Sequence, residues 1–143
     1  MATRFGSINI VVEDVVGLTE FLEALGVDLD AIAPGWESWV AHHRSFGAAS
    51  DVDADLDSSR FASEWGGTPA DFQGVVVNLT TDDRDAVDRG HAVAIERGAV
   101  SRKAPHDAFW GARYAVVDSP FGITFGLMSP SDPARRGAPT FTP

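Results

Sequence analysis

Four histidines are the side chains of this sequence best suited to proton transfer or metal binding. His42 and His43 are adjacent in a segment that we predict to be a strand, so their side chains point to opposite faces of it. They therefore cannot chelate one ion together, and at most one of them faces a cavity. His106 falls in a predicted loop that can overhang a cavity, whereas His91 falls in a predicted helix, at its surface or edge. Because imidazole titrates near neutral pH, His42 and His106 are the candidate catalytic bases, although no sequence pattern pairs either with an orienting carboxylate.

Other reactive patterns are missing from the sequence. Cysteine is absent, which excludes disulfides, thiolate metal sites and a cysteine nucleophile. The chain has no Ser-His-Asp order, no phosphate-binding glycine loop and no nucleotide fingerprint. We therefore expect no cofactor.

Aromatic side chains are abundant, with four Trp and nine Phe. We predict that Trp36, Trp39 and Trp110 line a concave pocket, where large rings suit a flat or apolar organic ligand. Trp65, beside two glycines, is predicted to pack in the core. The sparse polar anchors of such a pocket are predicted to be Asn9, Asn78 and Arg113, although Arg113 can equally pair with an acidic side chain.

Composition narrows the range of partners. The 143 residues include 11 Lys and Arg against 21 Asp and Glu, a net charge of −10 that repels nucleic acid phosphates and anionic membranes. The hydrophobic fraction of 44% is enough for a buried core. Without an apolar leader or spanning segment, the expectation is a soluble cytoplasmic protein of one domain that binds a small molecule.

The first half of the chain predicts a strand, a helix and further strands. In the strand at residues 5–12, Ser7 and Asn9 face away from the apolar side that packs on the helix. The helix begins after Asp14, a suitable N-cap, and ends at Gly26. The remaining elements are predicted strands at residues 36–42 and 45–52, and an acidic stretch at 51–69 that forms a strand fragment or short helix and then a linker.

The second half predicts the same order of elements. A strand at residues 72–80 precedes a helix that is capped by Thr81 or Asp82 and closed by Gly98. A short strand at 99–103, a loop at 104–109 and a hairpin then follow. The hairpin strands are residues 113–117 and 123–128, joined by the turn 118–122, and residues 131–143 form an extended tail.

The two halves repeat one pattern. The helix-capping positions Asp14 and Asp82 are 82 − 14 = 68 residues apart, and Trp36 and Trp110 are 110 − 36 = 74 apart. A strand, a helix and a run of strands thus occur twice, which indicates an internal duplication.

The hairpin of residues 110–130 resembles the closing hairpin of the vicinal-oxygen-chelate superfamily, the glyoxalase, bleomycin-resistance and dioxygenase proteins. The resemblance implies an α+β fold in which tandem βαβββ modules form a curved mixed sheet around a cavity. It places one domain at residues 1–130, with modules at about 5–60 and 71–130. It also implies a homodimer, since small proteins of this superfamily are commonly dimeric.

The same resemblance allows a residue-by-residue test of metal binding. Metal-dependent members place His, Glu or Gln at inward positions that correspond here to Ser7, Val76 and Gly126, with a fourth near Asp53 or Asp55. A single carboxylate does not hold a transition metal, so the sequence predicts no metal site. The predicted ligand-binding residues are Ser7, Asn9, Trp36, Trp39, Asn78, Trp110, Arg113 and Gly126.

Three functions are compatible with this pattern. The favoured one is a metal-free binding protein, resembling the bleomycin-resistance branch, that holds an aromatic or antibiotic-like molecule. The second is a metal-dependent lyase, isomerase or dioxygenase that uses an off-pattern site with His42 or His106 and an Asp. The third is a metal-independent isomerase or cyclase in which one of these histidines acts as the base.

Overall fold

Seven strands form one mixed sheet in the order β2-β3-β1-β4-β7-β6-β5 in the computed structural model, which describes residues 2–143. Three helices accompany the sheet, and the predicted α+β class is confirmed. The strands are β1 (Arg4–Val12), β2 (His43–Ser45), β3 (Ala54–Ser58), β4 (Gly74–Thr80), β5 (Val100–Asp107), β6 (Arg113–Asp118) and β7 (Thr124–Met128). The helices are α1 (Val15–Ala24), α2 (Ser59–Gly66) and α3 (Arg84–Glu96).

The sheet is built from two similar halves. In the first half β1 pairs with β3 in parallel, and in the second half β4 pairs with β7 in parallel. The hairpin partners β2 and β6 then pair antiparallel with β3 and β7. Antiparallel pairing of β1 with β4 joins the halves within one chain, so both contribute to one continuous concave face.

Aspartate caps begin the long helices of both halves. The Asp14 side chain accepts a hydrogen bond from the Gly17 amide at 2.8 Å, as predicted. The second cap is Asp83, which accepts from the Ala86 amide at 2.8 Å, so the prediction of Thr81 or Asp82 was early by one or two residues. The corrected offset between the caps is 83 − 14 = 69 residues.

The first half lacks a strand that the sequence predicted. Residues 36–42 are not a strand, because Glu37–Trp39 is a 3₁₀-helix that follows a turn at Gly35. Residues three apart lie on the same side of a 3₁₀-helix, and this brings the rings of Trp36 and Trp39 to 5.5 Å. A strand would have sent these two rings to opposite faces. The second half keeps the corresponding strand, β5.

The following segment also differs from the prediction. The strand predicted at residues 45–52 is wrong, because only Ser45 of that range lies in a strand, as the last residue of β2, and Gly47 adopts a positive φ of 78° and begins a turn. The acidic stretch that follows forms β3 and then α2 directly, so it is both a strand and a helix.

The closing hairpin is confirmed, with a turn at Gly122 between β6 and β7. Its neighbour β5 extends to Asp107, so His106 lies on a strand and not in the predicted loop. The segment after β7 does not extend away from the domain. Phe141 is 7% exposed and packs against Trp39 and Phe61.

The main apolar cluster lies on the concave face of the sheet, under α2 and the C-terminal segment. Its buried members are Val11, Phe61, Ala62, Trp65, Val76, Ala108, Tyr114, Val116 and Phe141. In the part of the chain that the structure describes, no helix is long and apolar enough to cross a membrane.

Ser58 links β3 to α2 and should matter for stability. Its buried hydroxyl accepts a hydrogen bond from the Phe61 amide at 3.1 Å and lies 2.9 Å from His42 Nδ1. We expect Ser58→Ala to lower the free energy of unfolding by about 1–2 kcal/mol, measured by urea denaturation. Ser63→Ala, inside the same helix, is the control and should change it by less than about 0.5 kcal/mol. Equal effects of the two substitutions would contradict the capping role.

Candidate functional site

A polar cavity of about 330 Å³ lies on the concave face of the sheet. Alternation along each strand places its lining side chains there: residues 7 and 9 of β1, 55 and 57 of β3, and 43 and 45 of β2 share this face. The lining residues are Ser7, Asn9, His43, Ser45, Asp53, Asp55, Asp57, Phe61, Trp65, Asn78, Phe109, Trp110, Tyr114, Met128 and Ser131.

A chain of hydrogen bonds runs along this cavity from one half of the sheet to the other. The Tyr114 hydroxyl donates to Asn78 Oδ1 at 2.8 Å, and Asn78 Nδ2 donates to Asn9 Oδ1 at 2.6 Å and to Ser7 Oγ at 3.2 Å. Asn9 Nδ2 then donates to Asp57 Oδ2 at 2.5 Å. Apart from the branch to Ser7, each of these hydrogen bonds is donated in the direction of Asp57.

The two asparagines of this chain are equivalent in the internal repeat. Asn9 and Asn78 are 78 − 9 = 69 residues apart, the same offset as the caps Asp14 and Asp83. Their amides meet where β1 pairs with β4, the junction of the two halves. The hydrogen bond between them therefore joins the halves through side chains as well as through the backbone.

His43 and Asp57 form a dyad at the end of the chain. His43 Nδ1 lies 2.7 Å from Asp57 Oδ1; the Asp57 side chain is 1% exposed and that of His43 is 39% exposed. Burial by itself lowers the pKa of His43, but the hydrogen bond and charge of Asp57, with the charge of Asp55, outweigh it and raise the pKa above its usual value.

Asp55 is the second carboxylate near this imidazole. Its Oδ1 accepts a hydrogen bond from the Ser45 hydroxyl at 2.6 Å and lies 4.0 Å from His43 Nε2. Burial raises the pKa of Asp55 above its usual range, although the Ser45 hydrogen bond and the charge of His43 act in the opposite direction. Two carboxylates thus flank one histidine.

An aromatic cleft of about 330 Å³ adjoins the polar cavity. It occupies the region where the first half lacks a strand, and its wall includes the 3₁₀-helix that carries Trp36 and Trp39. His43 and Ser45 line both the cleft and the polar cavity, so the two spaces meet at β2. The cleft is lined by Asp30, Ala31, Ile32, Ala33, Trp36, Trp39, His43, Arg44, Ser45, Phe61 and Phe109.

The structure separates the candidate bases His42 and His106 from the dyad. His42 precedes β2, packs against Ser58 and the ring of Phe141, and lines neither the aromatic cleft nor the polar cavity. His106 lines a different cavity, of about 380 Å³, between β5 and the C-terminal segment. Burial lowers the pKa of His42, with a contribution from the charge of Arg60, and burial also lowers the pKa of His106.

The predicted anchor Arg113 lies on the other face of the sheet. Its guanidinium pairs with Asp88 of α3 at 2.8 Å and with Asp107 at 3.2 Å, which is the alternative that the sequence left open. Alternation along β6 explains this placement, because the next residue, Tyr114, faces the polar cavity. Trp110 lines the polar cavity, and Trp65 is part of the buried cluster as well as of the cavity wall.

Comparison with known proteins gives matches at the level of structure alone. No protein-family profile and no curated protein sequence matches this chain. A Mn(II)-bound glyoxalase from Novosphingobium aromaticivorans superposes with a TM-score of 0.57 at 20% identity, over 90% of this chain and 40% of that one. An extradiol ring-cleaving dioxygenase from B. fuscum gives 0.60 at 12% identity, over 90% and 33%.

This chain has the vicinal-oxygen-chelate fold. It spans less than half the length of the glyoxalase and the dioxygenase, so their activities are not carried over to it. A third structure, an NAD-dependent benzaldehyde dehydrogenase from Legionella pneumophila, gives a TM-score of 0.59 at 11% identity, over 90% of this chain and 98% of that one. Since a glyoxalase, a dioxygenase and a dehydrogenase all resemble this chain, the fold does not determine its function, which depends on the residues of the site.

Three of the four metal positions that the resemblance implied offer no free ligand here, and the fourth supplies only the carboxylates of Asp53 and Asp55. Val76 is buried and apolar, and Ser7 accepts a hydrogen bond from Asn78. A Cβ at Gly126 would overlap Asn78 Oδ1 and the Tyr114 hydroxyl, so their hydrogen bond fills the space of a side chain there. Among residues 2–143, no group of three or more His, Asp or Glu side chains is arranged to hold a metal ion.

Sequence reasoning missed His43, Asp57 and Tyr114 as site residues. The aspartates at 51, 53, 55 and 57 alternate, which indicates one acidic face of a strand, and this pattern was available in the sequence. His43 could not be chosen over His42 because the end of the preceding 3₁₀-helix sets which of the two begins β2.

The hydrogen bond between Tyr114 and Asn78 should require a glycine at position 126. We expect Gly126→Ala to lower the free energy of unfolding by about 2–3 kcal/mol, because the added methyl group displaces the Tyr114 hydroxyl from Asn78. Thermal and urea denaturation measure the change. Gly90→Ala is the control, since its Cβ would meet Leu127 at an ordinary 3.4 Å and alanine favours the helix. A Gly126→Ala variant as stable as the wild type would contradict the prediction that the hydrogen bond between Tyr114 and Asn78 contributes to stability.

Proposed function

We propose that this protein binds a planar organic molecule carrying a basic group, without a metal ion, across the aromatic cleft and the polar cavity. The observation that carries the proposal is the continuity of the two spaces at β2. An apolar cleft beside a few convergent polar groups is the usual form of a small-molecule site. The polar cavity and the aromatic cleft would hold different parts of one ligand.

The aromatic cleft supplies the surface for the planar part. Trp36 is 45% exposed, and its ring is tilted 54° to that of Trp39. Trp39 is held from behind by edge contact with Phe61 at 5.1 Å. A fixed second ring behind a partly exposed first ring supports stacking of a flat ligand at this position.

The charge of the polar cavity favours a basic group on the part of the ligand that enters it. Asp53, Asp55 and Asp57 line the polar cavity, and none of its lining residues in the described chain is Lys or Arg. A cation is also attracted to the faces of indole rings, so carboxylates and tryptophans would recognise the same ligand. The net charge of −10 attracts cations over a longer range.

Ser7 adds a hydrogen-bond donor to this arrangement. Its oxygen accepts from Asn78 Nδ2, and among the described residues nothing accepts its own hydroxyl proton. A carbonyl or hydroxyl oxygen of the ligand would complete this pair. The favoured ligand therefore combines a flat ring system, a basic group and an oxygen acceptor.

Calorimetric titration with planar cationic, neutral and anionic aromatic compounds tests the proposal. We expect the cations to bind with micromolar Kd, and Trp36→Ala to weaken them about tenfold, or roughly 1.4 kcal/mol. Asp55→Asn should weaken the cations and leave the neutral compounds unchanged, and added salt should act in the same direction.

Phe121→Ala is the matched control, because this ring is 85% exposed in the β6–β7 turn and lies outside both spaces. If Trp36→Ala and Phe121→Ala weakened binding equally, the aromatic cleft would not be the binding site. Failure of every compound class to bind would contradict the proposed function.

Elemental analysis tests the absence of a metal ion. After incubation with Ni²⁺, Zn²⁺, Mn²⁺ or Fe²⁺ and dialysis, we expect far less than one metal ion per chain. The reason is the donor set, since hydrogen bonds of Asn78 fill the positions of Ser7 and Gly126. A stoichiometric ion that survives dialysis would instead favour a metal-dependent enzyme of the same superfamily. The expected homodimer and cytoplasmic location stay predictions.

A further inference from the structure

We propose that His43, held by Asp57, is a general base that removes a proton from the bound ligand without a metal ion. This inference rests on the proposed function, because the ligand must occupy the junction of the aromatic cleft and the polar cavity. It adds a chemical step to binding, and it assigns that step to a histidine on β2.

The hydrogen-bond chain fixes which nitrogen of His43 is the base. A carboxylate only accepts hydrogen bonds, and Asp57 receives one from Asn9 on Oδ2, while its Oδ1 lies 2.7 Å from His43 Nδ1. The proton of the neutral imidazole must therefore be on Nδ1. The lone pair that can accept a proton is then on Nε2.

Nothing in the site donates to that lone pair. Ser45 Oγ lies 3.5 Å from Nε2, but its single proton is given to Asp55 Oδ1 at 2.6 Å. The other close group is the Asp55 carboxylate, whose Oδ1 lies 4.0 Å away and can only accept. Nε2 is therefore left available at the junction where His43 lines both spaces.

The same neighbours stabilise the protonated product of the step. Asp57 balances the imidazolium charge through Nδ1, and Ser45 Oγ can accept the new Nε2 proton. The titratable groups that face His43 are Asp55 and Asp57 of β3, and its ring also meets the edge of Phe61 from α2 at 6.0 Å. Because the two carboxylates raise the pKa of His43, the basic form increases as the pH rises through that raised value.

The reaction class that this geometry supports is a proton shift. The bond between hydrogen and a carbon next to a carbonyl group breaks, the proton joins Nε2, and the electron pair moves onto the carbonyl oxygen. When the ligand carries a carbon–carbon double bond beyond that carbon, return of the proton to the far end of the double bond re-forms the carbonyl, moves the double bond into conjugation with it and restores neutral His43. The cycle consumes no oxidant, reductant or cofactor.

A planar probe makes the base directly measurable. Nitrobenzisoxazole opens to a coloured cyano-nitrophenolate when a base removes its ring C–H proton, as the electron pair forms the nitrile and the N–O bond breaks. We expect the wild-type protein to accelerate this opening, with a rate that rises with pH to a plateau. His43→Gln should reduce the rate at least about 100-fold while calorimetry still shows the probe bound.

Two other histidines serve as matched controls. His42→Gln alters the adjacent residue, which contacts Ser58 and Phe141, and His106→Gln alters a residue of the cavity beside β5, whose lining does not include His43. Both should retain the wild-type rate. A loss in either control equal to that of His43→Gln would overturn the assignment.

Asp57 is a positioning residue, and Asp57→Asn tests its role. Asn9 would orient the oxygen of the introduced amide toward itself, so the amide NH₂ would face His43 Nδ1 and move the ring proton to Nε2. We expect a loss of rate close to that of His43→Gln. In an NMR titration, the pKa of His43 should also fall, because the hydrogen bond and charge of Asp57 are removed while burial and the charge of Asp55 remain.

The outcomes separate the two proposals. If the wild-type protein binds the probe but opens it no faster than His43→Gln does, His43 is not the base and the binding function still stands. An unchanged pKa of His43 in Asp57→Asn would overturn the assignment in the same way. Failure of nitrobenzisoxazole and of every compound in the calorimetric panel to bind overturns both.

Discussion

The rest of the site depends on burial of the Asp57 carboxylate. A charged group with 1% exposure is costly unless donors surround it, and Asp57 obtains one from β1 and one from β2. Asn9 is held in turn by Asn78, and Asn78 by Tyr114. The hydrogen bonds that end at this buried charge thus join polar side chains of five strands, β3 included, from β2 at the edge of the sheet to β6.

The aromatic cleft of the site exists because the first half of the chain has no strand that corresponds to β5. In the second half of the chain β5 extends the sheet, whereas the first half has an irregular segment with a short 3₁₀-helix in its place. That segment leaves β2 at the edge and puts Trp36 and Trp39 beside it. The two similar halves of the chain therefore differ in what they form: the second completes the sheet with β5, and the first leaves an aromatic cleft beside His43.

The absence of a side chain at Gly126 has a comparable effect. The position where a metal-dependent protein of this fold is expected to carry a ligand is occupied by the hydrogen bond between Tyr114 and Asn78. Asn78 and Tyr114 belong instead to the hydrogen-bond chain that leads to Asp57, and His43 lies where that chain ends.

The sequence by itself determined the elements whose signals are local. Asp14, Gly26 and Gly98 marked the ends of helices, alternation put Ser7 and Asn9 on the concave side, and the repeat with its closing hairpin indicated the α+β fold. Only the tertiary structure decided that residues 36–42 are not a strand, because contact of Trp39 with Phe61 and Phe141 outweighs a weak strand preference. It likewise decided that His43 meets Asp57, since cross-strand pairing of β2 with β3 joins residues 14 apart in sequence. Local patterns set each strand's faces, but register and packing set which side chains meet.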